Sequence, residues 1–367
     1  MAANTDLVTV NVGPQHPSTH GLFRMRVTLD GEVVRDVEPM FGYLHRGIEK
    51  LAEKRSYPQN IPYTDRFHYL ISMINEWAYV MAVEKLADIE VPERAEHIRV
   101  IIGEMTRIVN HMLNIGFLCN ELGFYFTPLM YFFQEREKII DLFEMVSGQR
   151  ITFNYMRVGG VSQDLPPEFL PALDTLLDDV MSYHGELETL LKDNEILNVR
   201  LKGTGVISQE DAINASLSGP LLRSTGVDWD LRRDNPYSLY EQLEFEVITG
   251  KNGDNFDRYR VRMEEIKQSV HIIRQAMNQL PEGDIKSKVP RNLKPPEGEV
   301  YSAIESPVGE LGFYLVSDGS ANPYRFHCRA PSFINITGLP TMARNDLIAD
   351  LVVTFGLIDI CLGEIDR

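Results

Sequence analysis

Two histidines lie close together on one loop near the start of the chain. Residues 13–21 read GPQHPSTHG, with His16 and His20 four positions apart. On a helix this spacing would place both imidazoles on one face, where they could bind a metal ion. Pro17 between them and Gly21 after them disfavour a helix, so the metal interpretation is weak. Two others stay open: histidines that hydrogen-bond the backbone, or a loop tip that offers an imidazole to a pocket.

A second group of polar side chains lies in YTDRFHY, residues 63–69. We predict that Asp65 caps a helix that follows it, with Arg66, His68 and Tyr69 near its first turn. A helix N-terminus that carries an arginine and a tyrosine suits the polar end of a pocket. The alternative is a capping box whose remaining side chains are exposed to solvent.

Glu121 is the only charged residue between positions 108 and 134. If the side chain is buried, its pKa should rise, and such a carboxyl can relay protons or tune a nearby imidazole. The alternative is a carboxylate at a helix end that reaches solvent beside Gly123. The same stretch contains several asparagines and Pro128, so it predicts a buried helix and turn rather than a membrane span.

The composition limits the classes of partner and cofactor. The chain has 367 residues and a net charge of −17, which argues against nucleic acid and against attraction to an anionic membrane surface. Gly203-x-Gly205 lacks the third glycine of a dinucleotide fingerprint. Three isolated cysteines form neither a disulfide framework nor a cysteine-ligated metal centre, and they fit a reducing compartment: Cys119, Cys328 and Cys361.

The hydrophobic pattern predicts strands at both ends of the chain and helices between them. Alternating residues fill the first 45 positions, with a hairpin at Asp30-Gly31. Helical periodicity begins near residue 66 and recurs after Pro92, over about 130–146, after Pro166-Pro167, from Met263 to Leu280, and over 343–357. Strand patterns return in GEVYSAIE, GELGFYLVSDG and NPYRFHCRA.

These patterns predict an α+β protein with a single domain. In this interpretation residues 1–60 form a small β-sheet with the loop 13–21, and residues 61–280 form a helical core. Residues 281–298 form a proline-rich surface loop, and residues 299–367 form C-terminal strands and a helix.

Seven stretches, taken in order, resemble one family. It is the quinone-site subunit of proton-pumping NADH:quinone oxidoreductase (respiratory complex I), the D-type subunit of bacteria and the 49-kilodalton subunit of mitochondria. The resemblance extends over essentially the whole chain. The stretches are GPQHPSTHG, GYLHRGIEK, YTDRFHY, RAEHIRVI, GQRITFNYMRVGGV, LRSTGVDWDLR and the terminal GEIDR.

The resemblance implies a fold similar to the large subunit of nickel–iron hydrogenases. Those enzymes hold their metals with two C-x-x-C-type motifs, one near each end of the chain, and this sequence has neither. Cys361 falls where a terminal hydrogenase cysteine stands, but a lone thiol cannot assemble that centre. The resemblance therefore implies no metal or cofactor held by this chain alone.

The resemblance also implies roles for particular residues. His20 matches a loop histidine that reaches into the quinone cavity, and Tyr69 matches the tyrosine that hydrogen-bonds quinone. Glu121 stands where relatives often have an aspartate that partners the loop histidine. Arg66 matches an arginine near the iron–sulfur cluster of the adjacent subunit, and Arg367 looks similarly placed.

Besides Glu121, two further departures from the family pattern affect these expectations. His68 replaces an aspartate that often precedes the quinone tyrosine. Thr152 replaces a histidine that bonds the cluster in many relatives, and losing it should lower the cluster potential and weaken its pH dependence. We therefore expect a low-potential quinone such as menaquinone as substrate.

The leading hypothesis is a catalytic subunit that is inactive alone and forms the quinone-reduction cavity of a proton-translocating NADH:quinone oxidoreductase. The expected partners are the iron–sulfur B-type subunit, the C-type subunit and the membrane H-type subunit, at the cytoplasmic face of the cell membrane. Two alternatives stay open: the same subunit in a related complex with ferredoxin or a deazaflavin as donor, and a mainly structural subunit.

Overall fold

The computed structural model describes residues 7–14, 22–124 and 127–367. Within them the strands are β1 (Val8–Val12), β2 (Arg24–Asp30), β3 (Val33–Met40), β4 (Met156–Arg157), β5 (Gly160–Val161), β6 (Gly298–Glu305), β7 (Glu310–Ser317) and β8 (Arg325–Arg329). The longer helices are α2 (Tyr57–Thr64), α3 (Ser72–Ala87), α4 (Glu93–Glu121), α5 (Thr127–Ser147), α6 (Phe169–Lys192), α11 (Asn255–Asn278) and α14 (Ile348–Ile358).

Short helices connect these elements. They are α1 (Ile48–Ala52), α7 (Glu195–Leu201), α8 (Gln209–Asn214), α9 (Gly219–Arg223), α10 (Leu231–Asp234), α12 (Pro331–Asn335), α13 (Leu339–Ala343) and α15 (Leu362–Asp366). Strands at both ends of the chain and helices between them confirm the α+β class. Among the described residues, no helix combines the length and the apolar character that crossing a membrane requires.

The N-terminal sheet has the antiparallel order β1-β2-β3. Its β2–β3 turn lies at Asp30-Gly31, where Asp30 pairs with Val33, so the hairpin prediction is confirmed. Alternate side chains of β2 point into the protein, and Met25 and Val27 are buried there. This sheet packs on α13 and α14, so the first and last parts of the chain share one core.

The helical core is built around α4, which packs against both α5 and α11. Pro92 precedes the first turn of α4, as its fixed φ and missing N–H favour. Gly103 lets α3 approach α4 closely, since a Cβ there would come 2.8 Å from the Trp77 ring. The C-terminal sheet, in the order β6-β7-β8, covers the other side of α3.

Several boundaries differ from the sequence prediction. Helices begin at Ile48 rather than near residue 66, and the last predicted helix is α14, followed by a separate short α15. The proposed cap was wrong. Asp65 ends α2 instead of beginning the next helix, which starts at Ser72. The cause is tertiary, because the Asp65 carboxyl is fully buried beside Glu76 and is not placed at a helix N-terminus.

The C-terminal residues are anchored by hydrogen bonds to the segment before α1. The Asp366 carboxylate accepts the backbone N–H groups of Gly42 and Leu44 at 2.7 and 2.8 Å. Arg46 Nη2 donates to the carbonyl of Gly363 at 2.8 Å. These charge-assisted bonds fix residues distant in sequence against each other, and Leu44 and Gly363 both line the cavity described next.

Candidate functional site

A cavity of about 630 Å³ lies between the C-terminal half of α4, the start of α5, residues 68–70 and the α14–α15 junction. This volume suits a ligand with an aromatic head group. Most of the wall is apolar, and polar side chains form the rest of it. The apolar residues are Leu22, Leu44, Leu70, Leu113, Phe117, Leu118, Phe133, Phe355, Ile360 and Leu362.

Tyr69 lines the cavity from a single turn of 3-10 helix, Tyr69–Ile71. The Ser72 hydroxyl donates to the Tyr69 carbonyl at 2.9 Å and holds the turn in place. The side chain is about half exposed, so the phenol is accessible from the cavity. Burial raises the pKa of Tyr69, and the nearby Cys361 raises it further. The phenol therefore remains a protonated hydrogen-bond donor at neutral pH.

His68 lines the cavity beside Tyr69 but is itself fully buried. Burial lowers the pKa of its imidazole to about 3, so the ring is neutral. Among the described residues, neither ring nitrogen has a hydrogen-bond partner in another side chain or backbone group. A neutral imidazole provides one donor and one acceptor. Both nitrogens are shielded from solvent in this structure, so the ring would have to turn toward the cavity before a ligand could use either.

Glu121 is the last residue of α4, and its partly buried side chain lines the cavity. Gly356 of α14 lies against it, because a Cβ at this glycine would come 2.7 Å from Glu121 Oε2. The position is intermediate between the two alternatives raised from the sequence, a buried carboxyl and a helix end in solvent. The carboxylate lies at the cavity wall, where the end of α4 meets α14.

Asp359 forms another polar part of the wall. Its carboxylate accepts the Asn110 amide at 2.7 Å and lies 3.8 Å from the Arg262 guanidinium. Burial raises the pKa of Asp359, although Arg262 and the amide act in the opposite direction. Sequence reasoning missed this residue. Asp359 follows the last residue of α14 and has a left-handed backbone conformation, with φ of 64°. No motif or spacing in the sequence identifies it as a site residue.

Comparison with known proteins identifies the family. The profile described as "Respiratory-chain NADH dehydrogenase, 49 Kd subunit" matches residues 122–295 and 286–367. The chain belongs to this family. The D-type subunit of the NADH-quinone oxidoreductase of Dehalococcoides mccartyi (strain ATCC BAA-2266 / KCTC 15142 / 195) is 58% identical over 367 residues, with 100% of both chains covered. The corresponding protein of Clostridium beijerinckii is 52% identical over 364 residues, 99% of this chain and 98% of that protein.

The resemblance drawn from the sequence is thus confirmed at the level of the family. A third relative, the D-type subunit of the same oxidoreductase from Geotalea uraniireducens, is 50% identical over 390 residues and covers 100% of both chains. The family motif YTDRFHY supplies two adjacent cavity residues, His68 and Tyr69. The terminal GEIDR supplies Gly363 to the cavity and Asp366 to the anchor described above.

The other family positions lie outside this cavity. Arg66 is half exposed, donates to the Pro62 carbonyl and lies 3.6 Å from Asp65. Arg367 Nε donates to Glu49 at 2.8 Å, and its guanidinium lies 5.3 Å from the centre of the Phe333 ring. Thr152 is partly buried in a loop, with φ of 55°.

The two loop histidines cannot be placed by the structure. His16 and His20 fall in residues 15–21, outside the described part of the chain. The description resumes at Leu22, which lines the cavity. The structure therefore brings Tyr69, Glu121 and His68 together at one cavity, and the predicted role of His20 stays a prediction.

Proposed function

We propose that this chain forms, with a neighbouring iron–sulfur subunit, the quinone-reduction cavity of a proton-translocating NADH:quinone oxidoreductase. The observation that carries the proposal is the position of Tyr69, a protonated donor at the wall of a largely apolar cavity. Membership of the 49 Kd family supports the same assignment. As expected from the sequence, we propose that the chain is active only within the assembled complex.

The cavity matches the chemistry of a quinone. Its leucine and phenylalanine side chains suit the ring and the start of an isoprenoid tail, because both are apolar. The quinone oxygens need hydrogen-bond donors, and Tyr69 and His68 can each supply one. Since ground-state quinone is neutral, donors aimed at its oxygens favour the reduced, negatively charged form selectively.

Reduction of one quinone to quinol consumes two electrons and two protons. In this proposal Tyr69 donates a hydrogen bond to one oxygen and passes it a proton as negative charge develops there. His20 is proposed to serve the second oxygen, with Glu121 as the carboxylate that partners the histidine. A carboxylate partner stabilises an imidazolium, which makes the imidazole ready to give up a proton after the electrons arrive.

The electrons are proposed to arrive from an iron–sulfur cluster held by the adjacent B-type subunit. Arg66 and Arg367 would lie near that cluster, where positive charge stabilises its reduced state. Thr152 cannot titrate, so the cluster potential should be low and only weakly dependent on pH. This is our reason to propose menaquinone as the substrate.

We further propose that the chain is one hydrogenase-large-subunit-like domain. Its proposed neighbours are the B-type and C-type subunits and the membrane H-type subunit, with the chain peripheral at the cytoplasmic face of the cell membrane. The names of the relatives, which are subunits of NADH-quinone oxidoreductases, support assembly into such a complex.

The test is a Tyr69→Phe substitution in the intact membrane complex. NADH oxidation is measured with a quinone acceptor and with an artificial acceptor that takes electrons upstream. We expect the quinone reaction to fall about 100-fold or more, as for loss of a proton donor, while the upstream reaction is unchanged. Tyr324→Phe is the matched control, because this tyrosine is 69% exposed and does not line the cavity. Full quinone activity in Tyr69→Phe would contradict the proposal.

A further inference from the structure

Arg136 places a positive charge in the wall of the largely apolar cavity. It belongs to α5, and it is the only arginine or lysine among the described residues that line the cavity. The side chain is mostly buried, with 19% of its surface exposed. A guanidinium keeps its proton in proteins, so this part of the wall is permanently charged. A neutral quinone does not need such a charge, whereas an anion would be stabilised by it.

Two neighbours hold the Arg136 guanidinium in place. Its Nη1 donates to Glu137 Oε1 at 2.7 Å, and its central carbon lies 5.9 Å from the centre of the Phe133 ring. Phe133 itself lines the cavity, so this cation–π contact keeps the charge beside the wall. The Nε is shielded from solvent and has no hydrogen-bond partner among the described residues. A ligand oxygen could reach Nε only after the side chain turns, but the charge acts on a ligand without such a movement.

The ion pair with Glu137 does not cancel the charge of Arg136. The side chain of Glu137 is 47% exposed, so water screens its carboxylate, whereas the mostly buried guanidinium is screened less. The second oxygen of Glu137 also accepts a hydrogen bond from Arg150 Nη2, so two arginines share one carboxylate. Arg150 is bound in addition by Asp141 and Glu144, farther along α5. Among the described ion pairs, Arg136 therefore has one partner and Arg150 has three.

Two carboxyl groups of the cavity wall act on an anion in the opposite direction. Asp359 is offset by Arg262, whose Nε lies 3.8 Å from Asp359 Oδ2. Glu121 lies where the end of α4 meets α14. An anionic ligand should therefore place its charged oxygen towards Arg136 and away from these two carboxyl groups. The wall thus has a positive part on α5 and an acidic part at the ends of α4 and α14.

We propose that Arg136 is a specificity-determining residue that favours quinoid ligands with a negatively charged ring oxygen. The class of ligand is a hydroxyquinone anion, in which one ring substituent is an ionised hydroxyl. The same charge would act on the ring oxygens of an ordinary quinone as electrons arrive, since negative charge develops there. That the ligand is a quinone rests on the proposed function, whereas the preference for an anion rests on Arg136.

The test is the binding of two small probes to the intact membrane complex, without NADH and at neutral pH. The anionic probe is phthiocol, a naphthoquinone with one ring hydroxyl, which is ionised, and one ring methyl group. The neutral probe is dimethylnaphthoquinone, in which a second methyl group replaces the hydroxyl, so the two molecules have nearly the same size. Equilibrium dialysis gives the Kd of each probe, and only binding that an excess of a menaquinone analogue displaces is counted.

Four variants separate the charge of Arg136 from its packing. Arg136→Gln removes the charge and keeps a polar side chain, and Arg136→Lys restores the charge. Lys138→Gln is the matched control, because it removes one positive charge from the same helix at a position that does not line the cavity. Glu137→Gln keeps an oxygen that can accept from Arg136 but removes the negative charge of the partner.

We expect Arg136→Gln to weaken phthiocol binding about tenfold or more and to change dimethylnaphthoquinone binding by less than about twofold. Arg136→Lys should keep most of the phthiocol affinity, and Lys138→Gln should leave both Kd values nearly unchanged. Glu137→Gln should tighten phthiocol binding alone, by about twofold, because the charge that it removes is screened by water.

Equal changes of both Kd values in Arg136→Gln would mean that Arg136 only shapes the cavity, and would overturn the proposal. An equally large loss of phthiocol binding in Lys138→Gln would also overturn it. If Arg136→Gln does not assemble, phthiocol binding that is unchanged or weaker in Glu137→Gln has the same consequence. Where both probes bind but their ratio never changes, the quinone assignment stands and only the role of Arg136 fails. If neither probe binds the wild type, the proposed function fails as well.

Discussion

The Glu121 carboxylate lies directly against Gly356, so that a Cβ on this glycine would come 2.7 Å from Oε2. The two residues belong to helices far apart in sequence, and both line the cavity. The absence of a side chain at Gly356 is what leaves room for the carboxylate. The Gly356 carbonyl also accepts the Asn114 amide at 3.0 Å, which fixes α14 against α4 at this point.

Gly356→Ala should therefore displace Glu121 without unfolding the protein. The atom in the way is the end of a flexible side chain, so it can move, and alanine favours the helix. We expect quinone reduction to fall by about tenfold or more, since small misplacements at a reacting centre are costly. Gly185→Ala in α6 is the control, because a Cβ there meets nothing within 4 Å. Equal activity of the two variants would contradict a role for the position of Glu121.

His68→Phe should separate stability from ligand binding. The buried imidazole has no hydrogen-bond partner among the described residues, so replacing it by an apolar ring should stabilise the chain by about 1 kcal/mol. The same change removes a hydrogen bond to a bound quinone, so the KM for quinone should rise about fivefold to tenfold. Thermal unfolding of the chain and quinone titrations of the complex measure the two effects. An unchanged KM would mean that His68 does not contact the ligand.

Glu364 provides a prediction for the pH dependence of stability. The side chain is fully buried and accepts the Ser332 backbone N–H at 3.3 Å. Burial raises the pKa of Glu364 to about 7. A carboxyl whose pKa is raised on folding stabilises the fold while protonated, so this contribution is present below pH 4.5 and is lost as the pH rises through about 7.

Glu364→Gln cannot ionise and should escape this loss. Because burial raises the pKa of Glu364 from 4.5 to about 7, the variant should gain stability relative to wild type as the pH rises. The difference in free energy of unfolding, variant minus wild type, should be larger at pH 8 than at pH 5 by up to about 3 kcal/mol. Urea unfolding of both chains at the two pH values measures the difference. If both chains show the same pH dependence, Glu364 is ionised in the folded protein and the prediction is wrong.

Thr152→His concerns the proposed contact with the iron–sulfur subunit. Histidine tolerates the left-handed backbone at this position better than a β-branched residue does, so the fold should accept it. We expect the midpoint potential of the adjacent cluster to rise and its dependence on pH to steepen. Redox titration of the complex followed by electron paramagnetic resonance measures both. An unchanged potential would count against the proposed low-potential quinone.

Local periodicity predicted helices and strands well where neighbouring residues alone determine the secondary structure. The strand GEVYSAIE corresponds to β6, and the helix after Pro92 corresponds to α4. The prediction failed at Asp65, because an aspartate before a helical segment usually caps it, whereas here the side chain is buried in the core near Glu76, 11 positions later. Local preference was outweighed by a tertiary contact that no spacing reveals.

The sequence by itself determined the α+β class, the family and the chemistry available, since Tyr69, His68 and Glu121 are set by residue type. Only the tertiary structure decided which of these side chains meet. It placed Gly356 and Asp359 of the C-terminal region against α4, and it buried Glu76 with Asp65. The physical reason is that pKa values, cavities and strained backbone depend on burial and on neighbours distant in the chain, which the order of residues does not show.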